Sequence, residues 1–203
     1  MHPSKIVCVG RNYADHAKEL GNVVPERPLI FLKPSSALIG PGEAIMLPPQ
    51  SRQVEHEAEI GVVLGQRLRN VSVPEAEAGI GGIACANDVT ARDLQATDGQ
   101  WTRAKGFDTF CPVGPVQVNC DWRSLEIICR VNGQVRQHGR SADMVFSIPA
   151  ILAYISTIMT LEPGDLVLTG TPAGVSQLVE GDIVEVEIPR VGVLQNPVRS
   201  ISG

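Results

Sequence analysis

Glu55-His56-Glu57-Ala58-Glu59-Ile60-Gly61-Val62-Val63-Leu64 alternates with a period of two, and that alternation decides the fold class. In an extended chain successive side chains point to opposite faces, so Glu55, Glu57 and Glu59 share one face. His56, Ala58, Ile60, Val62 and Leu64 share the other, which is mostly apolar and belongs in a core. Working outward, residues 6–9, 29–32, 83–87, 166–169 and 183–188 read as further short strands. Asn132-Gly133, flanked by apolar runs at 125–131 and 134–137, is a two-residue hairpin signal. Helices are fewer. One covers 12–21, with Asn12 as cap and Gly21 as stop, and Ser72-Val73-Pro74-Glu75 opens a second. A third follows Thr90, and a fourth starts at Ser147 with Pro149 in its first turn and runs to about residue 160. The expectation is a mixed, β-rich α+β chain whose sheets close into a roll or sandwich, forming one domain over residues 1–203.

Composition narrows the function classes. Apolar residues make up 43% and charged residues 19% of 203, which is globular rather than disordered. Aromatics are only 4%, so the core is built from Val, Ile, Leu and Ala. Gly 20 and Pro 15 exceed average usage and favour short elements with many turns. The net charge of −5 and the lack of a basic run argue against a nucleic-acid surface. No apolar stretch is long enough to span a bilayer, and the first residues do not resemble a signal peptide. The five cysteines are an odd number without a CxxC pair, so the expectation is free thiols in a reducing cytoplasm.

On the acidic face, Glu57 and Glu59 lie about 7 Å apart along an extended strand. Two carboxylates that close, in an otherwise apolar strand, are costly unless they share a proton or a cation. Oxygen-only ligands favour Mg²⁺, Mn²⁺ or Ca²⁺ over zinc, and Asp88, ending the apolar run 83–87, is the best-placed third ligand. The plainer alternative is that Glu55, Glu57 and Glu59 form the wet face of an edge strand, as Glu185 and Glu187 are expected to do. His16 and Glu19 are spaced i,i+3, so the carboxylate can orient the imidazole as a general base. Here the plainer alternative is a surface helix laced by Asp15 and Lys18. Arg92 and Lys105 are candidate anion partners. The turn Thr169-Gly170-Thr171-Pro172-Ala173-Gly174-Val175 offers hydroxyls and backbone N–H groups to an anion, or is simply a tight turn.

The order of these motifs carries more than each alone. Gly10-Arg11-Asn12-Tyr13 with His16 and Glu19, His56-Glu57-Ala58-Glu59, Asn87-Asp88-Val89-Thr90-Ala91-Arg92-Asp93, Lys105-Gly106-Phe107-Asp108 and the Thr169 turn resemble the fumarylacetoacetate hydrolase family. The branch most similar is that of short acylpyruvate hydrolases and oxaloacetate decarboxylases. The resemblance implies a mixed β-sandwich roll, a homodimer, and Mg²⁺ or Mn²⁺ (Ca²⁺ in some crystals) held by Glu57, Glu59 and Asp88. It implies that His16 and Glu19 form a catalytic dyad on a lid helix within 11–21. Lys105 is implied as a further catalytic group, with Arg92, Gln95 and Thr171 contacting substrate. The chain opens almost at the first motif, so no N-terminal extension of the kind found in longer members is expected.

With a divalent ion counted, the three acids leave one negative charge, and Arg92 and Lys105 turn that into one positive charge. Such a pocket suits a small 2-oxo acid. The activity implied is hydrolysis of the carbon–carbon bond of a 2,4-diketo acid, of acylpyruvate or fumarylpyruvate type, to pyruvate and a carboxylic acid. Oxaloacetate decarboxylation and tautomerisation or isomerisation of a 2-oxo acid draw on the same site. A protein that binds a keto acid without turnover is the alternative of a different class. No nucleic-acid or membrane partner is expected.

Overall fold

In a computed structural model, which describes residues 2–201, most of the alternating stretch, Ala58–Leu64, runs inside a five-stranded sheet and not along its edge. Strand Ala58–Leu64 lies between Leu166–Leu168 and Ile80–Asn87, antiparallel to both. Ile6–Gly10 pairs in parallel with Leu166–Leu168, and Leu29–Lys33 closes the five-stranded sheet on that side. A second five-stranded sheet runs in the order Gln134–Arg140, Glu126–Val131, Ile183–Ile188, Gly192–Ser200, Ile45–Leu47. Only its last pairing is parallel.

Apart from its half-exposed edge strand Leu29–Lys33, the first sheet is buried on both faces, which explains why its strands read as nearly continuous apolar runs. Val7, Val9, Ile60, Val62, Ile83 and Val167 face the second sheet and meet Ile127, Cys129, Val131, Val184 and Val186 there. Ile6, Cys8, Ala84, Ala86, Leu166 and Leu168 form a smaller core on the opposite face with Ala37, Cys111 and Val113. Each fully buried Ile, Leu or Val contributes about 1.5–3 kcal/mol of transfer free energy, so this doubly covered sheet is the rigid frame of the molecule. The second sheet has one wet face. Glu185 and Glu187 stand on it, but on the central strand of that sheet rather than on an edge strand as expected, and the Arg130 guanidinium donates to them at 2.9 and 2.7 Å.

Four local expectations need correction. The alternating strand is two strands, Val54–Glu55 and Ala58–Leu64, because the backbone changes partners between them. His56 N–H donates to Ser176 O at 3.4 Å, Glu57 N–H to Asn87 Oδ1 at 2.9 Å, and Asp88 N–H to Glu57 O at 2.8 Å. The first helix is Ala14–Glu19 with Tyr13 at its cap, not Asn12. Asn12 is fully buried and ties three segments together: its Nδ2 donates to Phe146 O and Thr169 O, and its Oδ1 accepts from Phe146 N–H. Ser147 sits at the cap of Ile148–Ile158 without a side-chain cap bond. Strand Gly192–Ser200 was unexpected, its pattern being interrupted by Asn196 and Pro197. The Ser72–Glu75 capping box opens helix Val73–Ala78 as expected. No helix among the described residues is long and apolar enough to cross a membrane.

Candidate active site

The partner change at His56 and Glu57 builds the site. It turns the Glu57 carboxylate towards Glu59, on the next strand, and Asp88, just past the end of Ile80–Asn87. One oxygen from each of the three lies within 4.8 Å of the others, and the residues are 5%, 1% and 1% exposed. The wet edge-strand alternative therefore fails, since all three acids of that face, Glu55 included, are buried.

Buried carboxylates need cations, and two of the three have them. Glu57 accepts from Arg92 Nη2 at 2.6 Å and Lys105 Nζ at 2.8 Å. Asp88 accepts from Lys105 Nζ at 2.7 Å and Lys33 Nζ at 2.6 Å. Glu59 accepts only the Gly170 N–H, at 2.6 Å, and has no cationic partner among the described residues. The electrostatic consequence is opposite for neighbours two residues apart. Burial alone would raise Glu57, but the Lys105 ammonium and Arg92 guanidinium outweigh it and hold its carboxyl far below the ordinary range. Burial pushes Glu59 well above the ordinary range, with the charges of Asp88 and Glu57 acting in the same direction. A buried acid that lacks a counter-charge, in a cluster of oxygen donors only, fits a hard divalent cation.

Lys33 escaped the sequence reading although it carries a signal: a lysine that directly closes the apolar run 29–32. It is 2% exposed. Glu55, on the acidic face beside Glu57, accepts from Arg92 Nε at 2.8 Å. Lys33 and Glu55 cancel in the local charge balance, so one net positive charge still results when a divalent ion is counted.

A cavity of about 300 Å³ opens onto the acids, with His16, Arg92, Gln95, Lys105 and Thr171 in its walls beside Arg11, Phe31 and Trp101. Of the residues singled out from sequence, Glu19 alone stands back from the cavity. Its Oε2 lies 3.1 Å from His16 Nδ1, which leaves the other ring nitrogen of the buried imidazole for the pocket. No Asp15–Lys18 ion pair is formed among the described residues. Arg92 Nη1 donates to Gln95 Oε1 at 2.6 Å, which leaves the Gln95 N–H₂ available to a further acceptor. Lys105 spends two of its three N–H bonds on carboxylates and lies 5.0 Å from the centre of the Phe31 ring. The arrangement joins an acidic cation cradle, a held imidazole and several N–H donors around one small cavity.

A family model described as the C-terminal domain of fumarylacetoacetate (FAA) hydrolase matches residues 5–199. The chain is 44% identical over 209 residues to the mitochondrial oxaloacetate tautomerase FAHD2A of Homo sapiens, a match covering 97% of this chain and 67% of the relative. It is similar to the solved structure of 5-carboxymethyl-2-hydroxymuconate delta-isomerase from Mycobacterium smegmatis, with TM-score 0.93 and 45% identity over 100% of this chain and 81% of that one. The fumarylpyruvate hydrolase from Pseudomonas aeruginosa, solved in complex with Mn²⁺ and pyruvate, matches with TM-score 0.92 and 31% identity over 98% of this chain and 91% of that one.

Proposed function

The chain belongs to the fumarylacetoacetate hydrolase family, and from that premise we propose that it is a divalent-metal-dependent hydrolase acting on the carbon–carbon bond of a 2,4-diketo acid. The observation that carries this reading is that an imidazole held by a carboxylate, His16 with Glu19, opens onto the same cavity as the three buried acids. Glu57, Glu59 and Asp88 would hold Mg²⁺ or Mn²⁺, which when bound supplies a Lewis acid for the 2-oxo group and a sink for developing negative charge. Arg92, Gln95 and Thr171 hold the substrate carboxylate at the mouth of that cluster. His16 takes a proton from water as the water oxygen adds to the distal ketone carbon. The bond between that carbon and the neighbouring CH₂ then breaks, its electron pair staying with the pyruvate fragment as an enolate. Lys105 offers its remaining N–H to that enolate oxygen, and protonation at carbon gives pyruvate beside a carboxylic acid.

Tautomerisation of oxaloacetate is a second reading, favoured by one observation: identity to the human oxaloacetate tautomerase is 44%, against 31% to the fumarylpyruvate hydrolase. It needs the same cradle and a base, but no attacking water. The reading extends to a homodimer in a reducing cytoplasm, the latter supported by five cysteines that are all free.

The test is an ultraviolet assay of the purified protein with Mg²⁺ against acetylpyruvate, fumarylpyruvate, maleylpyruvate and oxaloacetate, with a chelator control. Hydrolysis of a diketo acid that the chelator abolishes supports the first reading. Enol–keto conversion of oxaloacetate with no diketo acid cleaved supports the second. Glu57→Gln should abolish every activity. His16→Ala should suppress diketo acid hydrolysis far more than any decarboxylation of oxaloacetate, and equal losses would remove the base role from His16.

A further inference from the structure

Thr171 lines the pocket, yet its hydroxyl is spent on the protein. Its Oγ1 lies 2.8 Å from the Ala58 carbonyl oxygen, which only accepts, so the hydroxyl proton points there. Gln137 Nε2 donates to the same Oγ1 at 2.7 Å and to Pro172 O at 2.7 Å, one N–H to each. That amide has one possible orientation, because Gln137 Oε1 accepts from the Ala58 N–H at 3.0 Å, a donor of fixed sense. The same Oε1 lies 2.9 Å from His56 Nδ1, which must therefore carry its proton, and His56 Nε2 lies 2.9 Å from Ser176 Oγ. The Cys129 thiol, 3.4 Å from Nδ1, changes nothing, since the amide oxygen cannot donate. His56, Gln137 and Thr171 are 0%, 1% and 2% exposed, so none of these bonds exchanges freely with water.

Thr171 thus has no hydroxyl proton left for an anion. What it does have is a main-chain N–H with no acceptor among the described residues. Gln137 stands on strand Gln134–Arg140 of the other sheet and is not part of the pocket wall. We infer that Gln137 is a positioning residue for the anion subsite: its amide holds the Thr171 hydroxyl and the Pro172 carbonyl so that the turn offers the Thr171 main-chain N–H to the substrate carboxylate. The Thr171 hydroxyl itself makes no substrate contact. This rests on reading the cavity as a 2-oxo acid site.

The experiment compares the wild-type protein with Thr171→Ser, Thr171→Val, Gln137→Met and the Thr171→Val/Gln137→Met double variant, all in Mg²⁺ buffer. Oxalate, a planar dianion shaped like a 2-oxo acid enolate, is titrated by calorimetry, and KM and kcat are measured for whichever keto acid is turned over. Thr171→Ser keeps the hydroxyl and should leave oxalate Kd and KM within about threefold. Thr171→Val and Gln137→Met should each raise both by about tenfold, with kcat within about threefold, because each frees the turn. The double variant should lose no more than the worse single one, since both cut the same link. Thermal melting checks folding, and Gln137→Glu, which keeps the acceptor for Ala58 and His56 but loses the donor to Thr171, replaces Gln137→Met if that variant does not fold. A rise with Thr171→Val alone, Gln137 variants behaving as wild type, would mean that the hydroxyl touches the anion and would overturn the inference. So would losses that fall on kcat with KM unmoved, or additive losses in the double variant. A wild type that binds oxalate but turns over nothing overturns the functional reading alone, and the Kd series still decides the role of Gln137. Failure of the wild type to bind oxalate overturns both.

Discussion

Glu19 accepts the main-chain N–H of Gly174 at 3.0 Å with one carboxylate oxygen and holds His16 Nδ1 at 3.1 Å with the other. A single side chain thus joins the first helix, the imidazole and the pocket turn. Gly174 has φ +103, and a Cβ there would collide with the Arg136 carbonyl oxygen, so no side chain fits without displacing the turn. Glu19→Gln cannot satisfy both contacts, because its amide has one oxygen where two acceptors are required. Oriented towards Gly174, that amide would donate to His16 Nδ1 and force the tautomer that cannot act as a base on the pocket side. We predict that Glu19→Gln lowers kcat for diketo acid hydrolysis by about 10²-fold or more with KM within about threefold. An unchanged kcat would show that Glu19 does not govern the imidazole.

Glu59→Gln should move stability in opposite directions with and without metal. In chelator, Glu59 is an acid whose pKa is pushed up in the folded protein by burial and by its two acidic neighbours. Such a group favours the folded state at low pH, and that advantage is lost as pH rises through and above the ordinary carboxylate range. At pH 7–8 the amide removes this cost while still accepting from Gly170, so Glu59→Gln should melt higher than wild type in chelator. With saturating Mg²⁺ the order should reverse, since a ligand at a hundred times its Kd stabilises by about 2.7 kcal/mol and the variant binds it poorly. Melting curves of both proteins in both buffers decide it. A wild type that is the more stable in chelator would contradict the electrostatic account of the cradle.

What could be read from the chain, and what could not, follows from how local each cause is. Alternation and the Asn132-Gly133 turn act within a few residues, and the hairpin forms with positive φ at both turn positions. The strand break at His56 and Glu57 comes from Asn87, Asp88 and Ser176, which are remote in sequence, so periodicity alone saw one strand. Asn12 looked like a helix cap because local hydrogen bonding favours that role, but it is captured by Phe146 and Thr169. Of the eight pocket-lining residues singled out from sequence, all but Gln95 lie within the ordered motifs, and all eight meet in one cavity. Lys33 and Gln137 lie outside those motifs: Lys33 shows in the sequence only as a lysine closing an apolar run, and Gln137 is disclosed by the approach of the second sheet to the Thr171 turn.

Asp165 makes acid stability a second checkable property. This buried carboxylate accepts from Ser4 N–H at 3.0 Å, Ser4 Oγ at 2.6 Å, Lys5 N–H at 3.2 Å and Glu162 N–H at 2.8 Å, and pairs with the Lys5 ammonium. Burial alone would raise its pKa, but these donors outweigh it and hold it below the ordinary 3.8. A depressed acid contributes stability that is present above its unfolded pKa and lost as pH falls through its folded one. Asp165→Asn should therefore cost about 2–4 kcal/mol at pH 7 and progressively less below about pH 3.8, because the wild type loses the same contacts as it protonates. Chemical denaturation across that range measures it. A gap independent of pH would mean that the charge contributes nothing.

Lys33→Met tests whether the cradle is tuned from behind. Lys33 Nζ donates to Asp88 Oδ1 at 2.6 Å and to Val89 O at 3.1 Å, with both ion-pair side chains essentially out of solvent. A second cation, Lys105, holds the other Asp88 oxygen at 2.7 Å, so removing Lys33 leaves Asp88 charged and partly paired. Methionine fills a similar volume without the charge. At an effective dielectric constant near 20, a unit charge a few ångströms from a ligand oxygen opposes a divalent ion by several kcal/mol, largely offset by its own desolvation. The expected outcome is a divalent-ion Kd tighter by about tenfold and an oxalate Kd weaker by a similar factor, because the same cation repels the metal and attracts the anion. The two titrations must move in opposite directions. If both weaken together, Lys33 is holding Asp88 in place and its charge is not what matters.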